Sequence, residues 1–460
     1  MTSGQERVQA MAADAAARFE AVYGGPPALI VRAPGRVNLI GEHTDYNGLP
    51  VLPFAIEQSH YLAAGEGSGP RIEIANADPQ YAAATIDVEA LDAFAPPGSW
   101  ENYTRAALLG LCETSVLPSH LLERGLRVLV GSDLPSGVGL SSSSALVVGF
   151  AVAALAVNQI DADRQRLAEV LAEAEQHVGT RGGGMDQAAC LLGRQGHALK
   201  IDFFPLEVDP VRFGGPGCLP VLISDSGVRV EKSGAGRMLY NRRPIECRLA
   251  LALFQRWARR FGHAEFGAAR HWGDLVKPPF ELPHAGVLAL IEESIKQPWY
   301  SIHDLCDHLA MREQDLRERY LRIGADEYLL EPADGFRLQQ RAQHVISEGW
   351  RVEEAALALR SGDWPRLAEL LEASHASCRD LYEISCPEVE RLVGAALEAG
   401  ALASRLTGAG FGGCVLHLVS VARFERFRDT MERLLGPMAA PVLARPAAGA
   451  EILALTRPAA

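Results

Sequence analysis

Between Gly125 and Val157 the chain reads as an apolar run, a glycine–serine stretch and a second apolar run, and this order leaves few folds open. Leu126 to Val130 is a strand candidate bounded by Gly125 and Gly131. The stretch Asp133 to Ala145, DLPSGVGLSSSSA, breaks both helix and strand patterns. Ala145 to Val157 is too short to span a bilayer and reads as a buried helix. A strand, a loop of small residues and a buried helix form an anion-binding arrangement. Small residues let backbone N–H groups approach phosphate oxygens, and the helix N-terminus adds partial positive charge. Serine hydroxyls can bond phosphate or a hydrated magnesium ion. No G-K-[ST] follows the glycines, so the stretch is neither a Walker A loop nor a dinucleotide fingerprint. The plainer alternative is a serine-rich N-cap and turn.

The rest of the 460 residues alternates in the same way and suggests two or three domains. A helical pattern runs to about Phe19, and a β-like run follows at Ala28 to Val31. Arg164 to Val178 predicts an amphipathic helix with Leu167, Val170, Leu171, Ala174 and Val178 on one side. Glu175 falls at the border of that stripe, where it could reach a pocket. Val221 to Ser224 reads as a strand, and Leu338 to Gly400 is helical. One helix there begins at Pro387 and ends before Gly400. A glycine loop at Gly408 to Gly413 then leads into an apolar strand, Cys414 to Val419. The class is α+β, with a boundary near residues 205 to 215: one domain over 20–210, a second over 211–460.

Three further segments carry polar residues among glycines. Arg32 to Gly48, RAPGRVNLIGEHTDYNG, packs Arg36, Glu42, His43 and Asp45 together. Carboxylates accept hydrogen bonds from sugar hydroxyls and a guanidinium donates to oxygens, although a solvated loop with surface ion pairs would look alike. Gly179 to Gln187, GTRGGGMDQ, sets three glycines before Asp186. An aspartate beside a substrate hydroxyl can take its proton as that oxygen attacks a phosphoryl group, whereas the bland reading is a turn with Asp186 as a cap. Ser404 to Gly413, SRLTGAGFGG, is a weak glycine signal alone.

The net charge of −13 argues against nucleic acid or anionic lipid as partners. The opening residues carry no apolar signal core, so a cytoplasmic location is expected. The eight cysteines are scattered without C-x-x-C or zinc spacing and are expected to be reduced.

Taken together, the four segments resemble the GHMP kinase superfamily and, within it, the galactokinase group. The likeness extends to Trp100–Tyr103 (WENY), Tyr240–Cys247 (YNRRPIEC), Arg341–Glu348 (RAQHVISE) and Ser374–Glu388 (SHASCRDLYEISCPE), and covers nearly the whole chain in the expected order. The resemblance implies an N-terminal ribosomal S5-type domain, a C-terminal ferredoxin-like domain and a site between them. It implies a cytoplasmic, ATP- and Mg2+-dependent kinase that phosphorylates the C1 hydroxyl of galactose, with N-acetylgalactosamine as the alternative substrate. A uronic acid or a mevalonate-like alcohol is a further alternative, opposed by Glu42 and Asp45. An alternative of another class is a sugar sensor without turnover, against which stand the intact loop and the presence of both Arg36 and Asp186.

By the same resemblance Asp186 is the catalytic aspartate, kept ionised by the nearby cation of the catalytic Arg36. Glu42, His43, Asp45 and Tyr240 hold sugar, with Gly183 giving backbone contact. Pro135, Gly137, Gly139, Leu140, Ser141, Ser142, Ser143, Ser144 and Ala145 cradle ATP phosphates. Ser142 or Ser143 meets Mg2+, with Glu175 as the acidic partner. A monomer is expected, with the oligomeric state left open. The triple glycine Gly182–Gly184 and the four serines resemble the N-acetylgalactosamine kinase branch, whereas Thr44 and Asn47 resemble ordinary galactokinases.

Overall fold

The computed structural model describes residues 4–179, 182–214, 217–229, 237–324, 327–436 and 440–454, the side chains of Leu121 and Arg237 excepted. Thr180 and Arg181, inside the predicted triple-glycine segment, lie outside this range.

Five strands open the chain: β1 (Leu29–Asn38), β2 (Pro53–Glu66), β3 (Arg71–Asn76), β4 (Ala84–Asp87) and β5 (Leu126–Ser132). A hairpin follows, β6 (His197–Asp202) and β7 (Glu207–Arg212). Then come β8 (Val221–Asp225), β9 (Ala403–Leu406), β10 (Cys414–Leu418), β11 (Val442–Ala444) and β12 (Glu451–Leu453). The first sheet has the order β12-β1-β2-β5-β3-β4 and is antiparallel except for β3 beside β5. The second sheet, β11-β8-β10-β9, is antiparallel throughout. The end of the chain therefore returns to the first sheet, pairing Val31 with Ile452.

In the first half lie α1 (Gly4–Tyr23), α2 (Glu101–Glu113), α3 (Ser142–Val157), α4 (Arg164–Ala174) and α5 (Met185–Leu192). In the second lie α6 (Arg237–Arg260), α7 (His284–Ser294), α8 (Ile302–Leu309), α9 (Glu313–Leu316), α10 (Leu338–Ser361), α11 (Trp364–Asp380), α12 (Pro387–Glu398) and α13 (Phe424–Leu435). No helix among the described residues is long and apolar enough to cross a membrane. All eight cysteines are free thiols.

Helix α3 is buried on every side from Ser144 to Leu155 and packs on β1, β2 and α2. Its valines are mediocre helix formers, at a cost of up to about 0.7 kcal/mol each. Full burial of such a side chain returns roughly 1.5–3 kcal/mol, so packing decides the helix. Gly149 lets it lie close: a Cβ there would stand 2.5 Å from Leu62 Cδ1 and 2.9 Å from Ala33 Cβ.

Two expectations shift locally. The Arg32 to Gly48 segment, for which a solvated loop was one reading, begins inside β1, which runs on through Pro34 and Gly35 to Asn38 with a register break between Pro34 and Arg36. The helix predicted over Arg164 to Val178 ends at Ala174, and Glu175–Val178 form a 3-10 turn closed by Gly179 in left-handed backbone.

Candidate active site

The site forms where β1, the serine loop, the start of α5 and the second glycine loop meet. Strand β1 is buried along its length beyond Leu29, so Arg36 reaches its partners inside the protein with 1% exposure. Arg36 Nε donates to Asp186 Oδ1 at 2.7 Å, and Nη2 lies 2.6 Å from the same oxygen. Its Nη1 donates to the Gly139 carbonyl at 2.7 Å, and its backbone N–H to the Leu140 carbonyl at 3.1 Å. One arginine thus ties the predicted aspartate to the predicted phosphate loop. Gly35 makes the close approach possible, because a Cβ there would lie 2.7 Å from the Leu140 carbonyl oxygen.

The two glycine loops interlock. Gly408 and Gly413 have φ of 87° and 72°, and a Cβ on either would stand 2.9 Å from the carbonyl oxygen of Gly139 or Val138. Thr407 pins the second loop to β1: it accepts from Asn38 N at 3.1 Å and donates to the Asn38 carbonyl at 2.8 Å.

A small cavity of about 40 Å3 lies beside Asp186, walled by Arg36, His43, Asp45, Glu175, Gly183 and Tyr240 among others. Asp45 is 8% exposed, and its Oδ2 accepts from Gly183 N at 3.1 Å and Met185 N at 3.4 Å. Burial pushes its carboxyl up, the nearby Asp186 adds to this, and backbone N–H groups of Tyr46, Met185 and Gly183 oppose it. Gly183 must be glycine, since a Cβ would lie 2.2 Å from Tyr46 N. Burial likewise raises the Tyr240 phenol well above its usual range, helped by Asp45, Asp186 and Glu175.

Glu42 stands apart from the other sugar candidates. It is fully buried and does not line this cavity. Its Oε1 accepts from Asn38 Nδ2 at 3.0 Å and Gly408 N at 3.1 Å, and its Oε2 pairs with Arg405. Burial drives its carboxyl up, and Arg405 is the chief opposing influence. Behind it, Glu348 accepts from Gly41 N at 3.0 Å and pairs with Arg351 at 2.6 Å. Against the cost of burial, Arg351 and Arg405 hold Glu348 down at about 2.

A larger cavity of about 1210 Å3 opens along the serine loop, and Gly139, whose carbonyl Arg36 bonds, is part of its wall. Pro135, Gly137, Gly139, Leu140, Ser141, Ser142 and Ser143 line it. Ser144 and Ala145, expected in the same cradle, instead turn into the core at 1% and 0% exposure. The reason is where the helix enters the core: α3 begins at Ser142 and is buried all round from its third residue, Ser144. Tyr81, Trp100 and Tyr103 form an aromatic part of the wall. The cation Arg229 also lines it and pairs with Asp225 at 2.7 Å.

The solvated-loop alternative for Arg32 to Gly48 fails, because Arg36, Glu42, His43, Thr44, Asp45 and Asn47 are all buried. Sequence reasoning gave no role to Asn38, Tyr46, Arg405 or Thr407. Arg405 and Thr407 fall inside the SRLTGAGFGG segment, where the glycines drew the attention. Trp100 and Tyr103 fall inside WENY, whose two aromatics three residues apart were the available signal.

Comparison with known proteins agrees with this geometry. Residues 17–66 match the galactokinase galactose-binding signature, 102–194 the GHMP kinases N terminal domain and 355–435 the GHMP kinases C terminal. The chain is 32% identical over 441 residues to a galactokinase of Dictyostelium discoideum, covering 90% of this chain and 85% of that one. It is 34% identical over 417 residues to a galactokinase of Roseiflexus sp., covering 90% and 89%. The crystal structure of Lactococcus lactis galactokinase complexed with galactose superposes with a TM-score of 0.75 at 25% identity, over 96% of this chain and 99% of that one. A mevalonate kinase shares the fold alone, with a TM-score of 0.52 at 16% identity. The galactose-binding signature, the two GHMP domains in order, and relatives 32% and 34% identical over 90% of the chain place this protein in the galactokinase family of GHMP kinases.

Proposed function

We propose that this protein transfers the γ-phosphoryl group of ATP to the C1 hydroxyl of galactose, giving galactose 1-phosphate and ADP. The carrying observation is Arg36, bonded at once to Asp186 and to the Gly139 carbonyl of the serine loop. Sugar occupies the small cavity and nucleotide the large one, so Arg36 stands between acceptor and donor.

Asp45, His43, Tyr240 and the Gly183 backbone orient the sugar. Glu42 acts from behind, holding Gly408 and Asn38 in place. Asp186 accepts or orients the C1 hydroxyl proton as that oxygen attacks, a contribution of about 10²–10⁴-fold for a well-placed base. Arg36 stabilises charge on the transferring group, since phosphoryl transfer is catalysed mainly by positioning and electrostatics. Backbone N–H groups of the serine loop and the N-terminus of α3 receive the phosphates.

The donor set also fits magnesium. Serine hydroxyls and a carboxylate are the hard oxygen ligands it takes. Ser142 or Ser143 and Glu175 would hold it, and it would neutralise charge between the outer phosphates.

The test is a coupled assay of ADP formation with MgATP and a panel of galactose, N-acetylgalactosamine, glucose and galacturonate. Galactose should turn over best. Preference for N-acetylgalactosamine would reassign the acceptor, and saturable sugar binding without ADP would leave a sensor.

A further inference from the structure

Behind His43 runs a hydrogen-bond chain that the reaction itself does not use. The ring stands at the wall of the small cavity with its backbone at φ 63°. Its Nε2 lies 3.1 Å from the Ala409 carbonyl oxygen, and its Nδ1 lies 2.7 Å from the Tyr46 hydroxyl. The Tyr46 hydroxyl is 2.8 Å from that of Tyr382, which is 3.1 Å from Cys247 Sγ. The Tyr382 ring also packs on His43, with centroids 4.9 Å apart. Cys247 sits in α6, and Tyr382 follows α11, so distant parts of the chain converge on one imidazole.

The chain has a direction. A carbonyl oxygen can only accept, so Nε2 carries a proton. Nδ1 of the neutral ring is then an acceptor, and Tyr46 must donate to it. With that proton committed, the Tyr46 oxygen takes the Tyr382 proton, and the Tyr382 oxygen takes the thiol proton. Burial first, then the Tyr382 hydroxyl and the Cys247 thiol at Tyr46 and the thiol alone at Tyr382, push both phenols well above their usual range, with the Tyr46 hydrogen bond opposing at Tyr382. Burial also raises the Cys247 thiol to about 11, so every donor keeps its proton at neutral pH.

We propose that Tyr46, Tyr382 and Cys247 are positioning residues for the sugar: with the Ala409 carbonyl holding the Nε2 proton, their hydrogen-bond chain to Nδ1 fixes the face that His43 turns to the cavity. A ring flip would set a carbon against the Tyr46 hydroxyl, and a tautomer swap would set the bare Nε2 against the Ala409 carbonyl oxygen, two acceptors facing each other. The inference rests on the small cavity being the sugar site.

The test combines kinetics with nitrogen NMR of the histidine rings. Tyr46→Phe should raise the galactose KM about tenfold, the scale of one net hydrogen bond, and leave the MgATP KM within about twofold. Tyr382→Phe, which leaves the Tyr46 donor in place, should raise the galactose KM about threefold. The wild-type spectrum should show His43 protonated on Nε2 alone, and Tyr46→Phe should shift the Nδ1 resonance by removing its hydrogen-bond donor. Galactose KM within about twofold of wild type in both variants would overturn the proposal. So would a wild-type His43 protonated on Nδ1. The spectrum needs no turnover, so it separates a failed chain from a failed kinase assignment. An unchanged galactose KM in His43→Ala would instead count against the cavity assignment.

Discussion

Around the Arg36–Asp186 pair, the small cavity is walled by glycines and by buried polar side chains already bonded to their surroundings, whereas the large cavity beside the serine loop adds hydroxyls, aromatic rings and solvent-facing charges such as Arg229 to its glycines. The first kind of wall is costly to assemble. Behind it, off the wall itself, Glu42 and Arg405 are a fully buried pair, and removal of one partner of such a pair typically costs about 3–5 kcal/mol. It yields fixed geometry, which a hexose needs, because sugars differ by single hydroxyl positions. The second kind relies on backbone N–H groups and stacking, which suit phosphates and a flat base. Precision is therefore concentrated on the sugar side, and adaptability on the nucleotide side.

The sharpest way to break this contrast is Asp186→Asn. It should lower kcat by about a thousandfold while nucleotide binding stays near normal, because Asp186 does not line the large cavity. Steady-state kinetics and a nucleotide titration check this, and near-normal turnover would remove the role. Next in size is Gly183→Ala. Its Cβ would collide with the backbone of Tyr46, so galactose KM should rise more than about tenfold with MgATP KM spared. Equal damage to both constants would mean that the two cavities are one mechanical unit. Asp45→Ala should raise galactose KM by about tenfold, and Ser142→Ala or Ser143→Ala should do so for MgATP by about threefold to tenfold. A crossover of these effects would reverse the assignment of the cavities.

The smallest effect is on stability in acid. Burial holds His60 and His344 at about 4 and His417 at about 3, below the ordinary 6.5. The unfolded chain therefore binds protons first as pH falls from 6.5 to 4, and the native state loses stability over that window. Glu348, held at about 2 rather than 4.5, extends the loss below pH 4.5. His60 bonds the Ser142 carbonyl beside the large cavity at 2.9 Å, and His344 bonds the Glu42 carbonyl behind the small one at 3.1 Å. Acid should thus loosen both sides, and Tm should fall by several degrees from pH 7 to 4. A flat Tm over that range would contradict it.

Much of this was legible before any coordinates. The strand, loop and buried helix around Gly125–Val157 were readable because hydrophobic period and glycine placement are local properties. Asp186 and Arg36 could be named because their segments offer a carboxylate and a guanidinium among glycines, and the resemblance to the GHMP kinases supplied the roles that the residues alone left open. Glu42 and the inward-turning Ser144 and Ala145 were misplaced for one shared reason. A motif gives residue order, but which way a side chain points depends on where the helix begins and on what packs against it.

By itself the sequence determined the α+β class, the phosphate-type loop and the residues capable of acid–base chemistry, because each follows from side-chain chemistry and spacing along the chain. Only the tertiary structure decided that Arg36 joins Asp186 to Gly139, that Glu42 serves Arg405 rather than the cavity wall, and that β12 closes the first sheet. These are contacts between residues more than a hundred positions apart. They exist only once the burial of two apolar cores has brought the segments together, and nothing local in the chain encodes the distance between them.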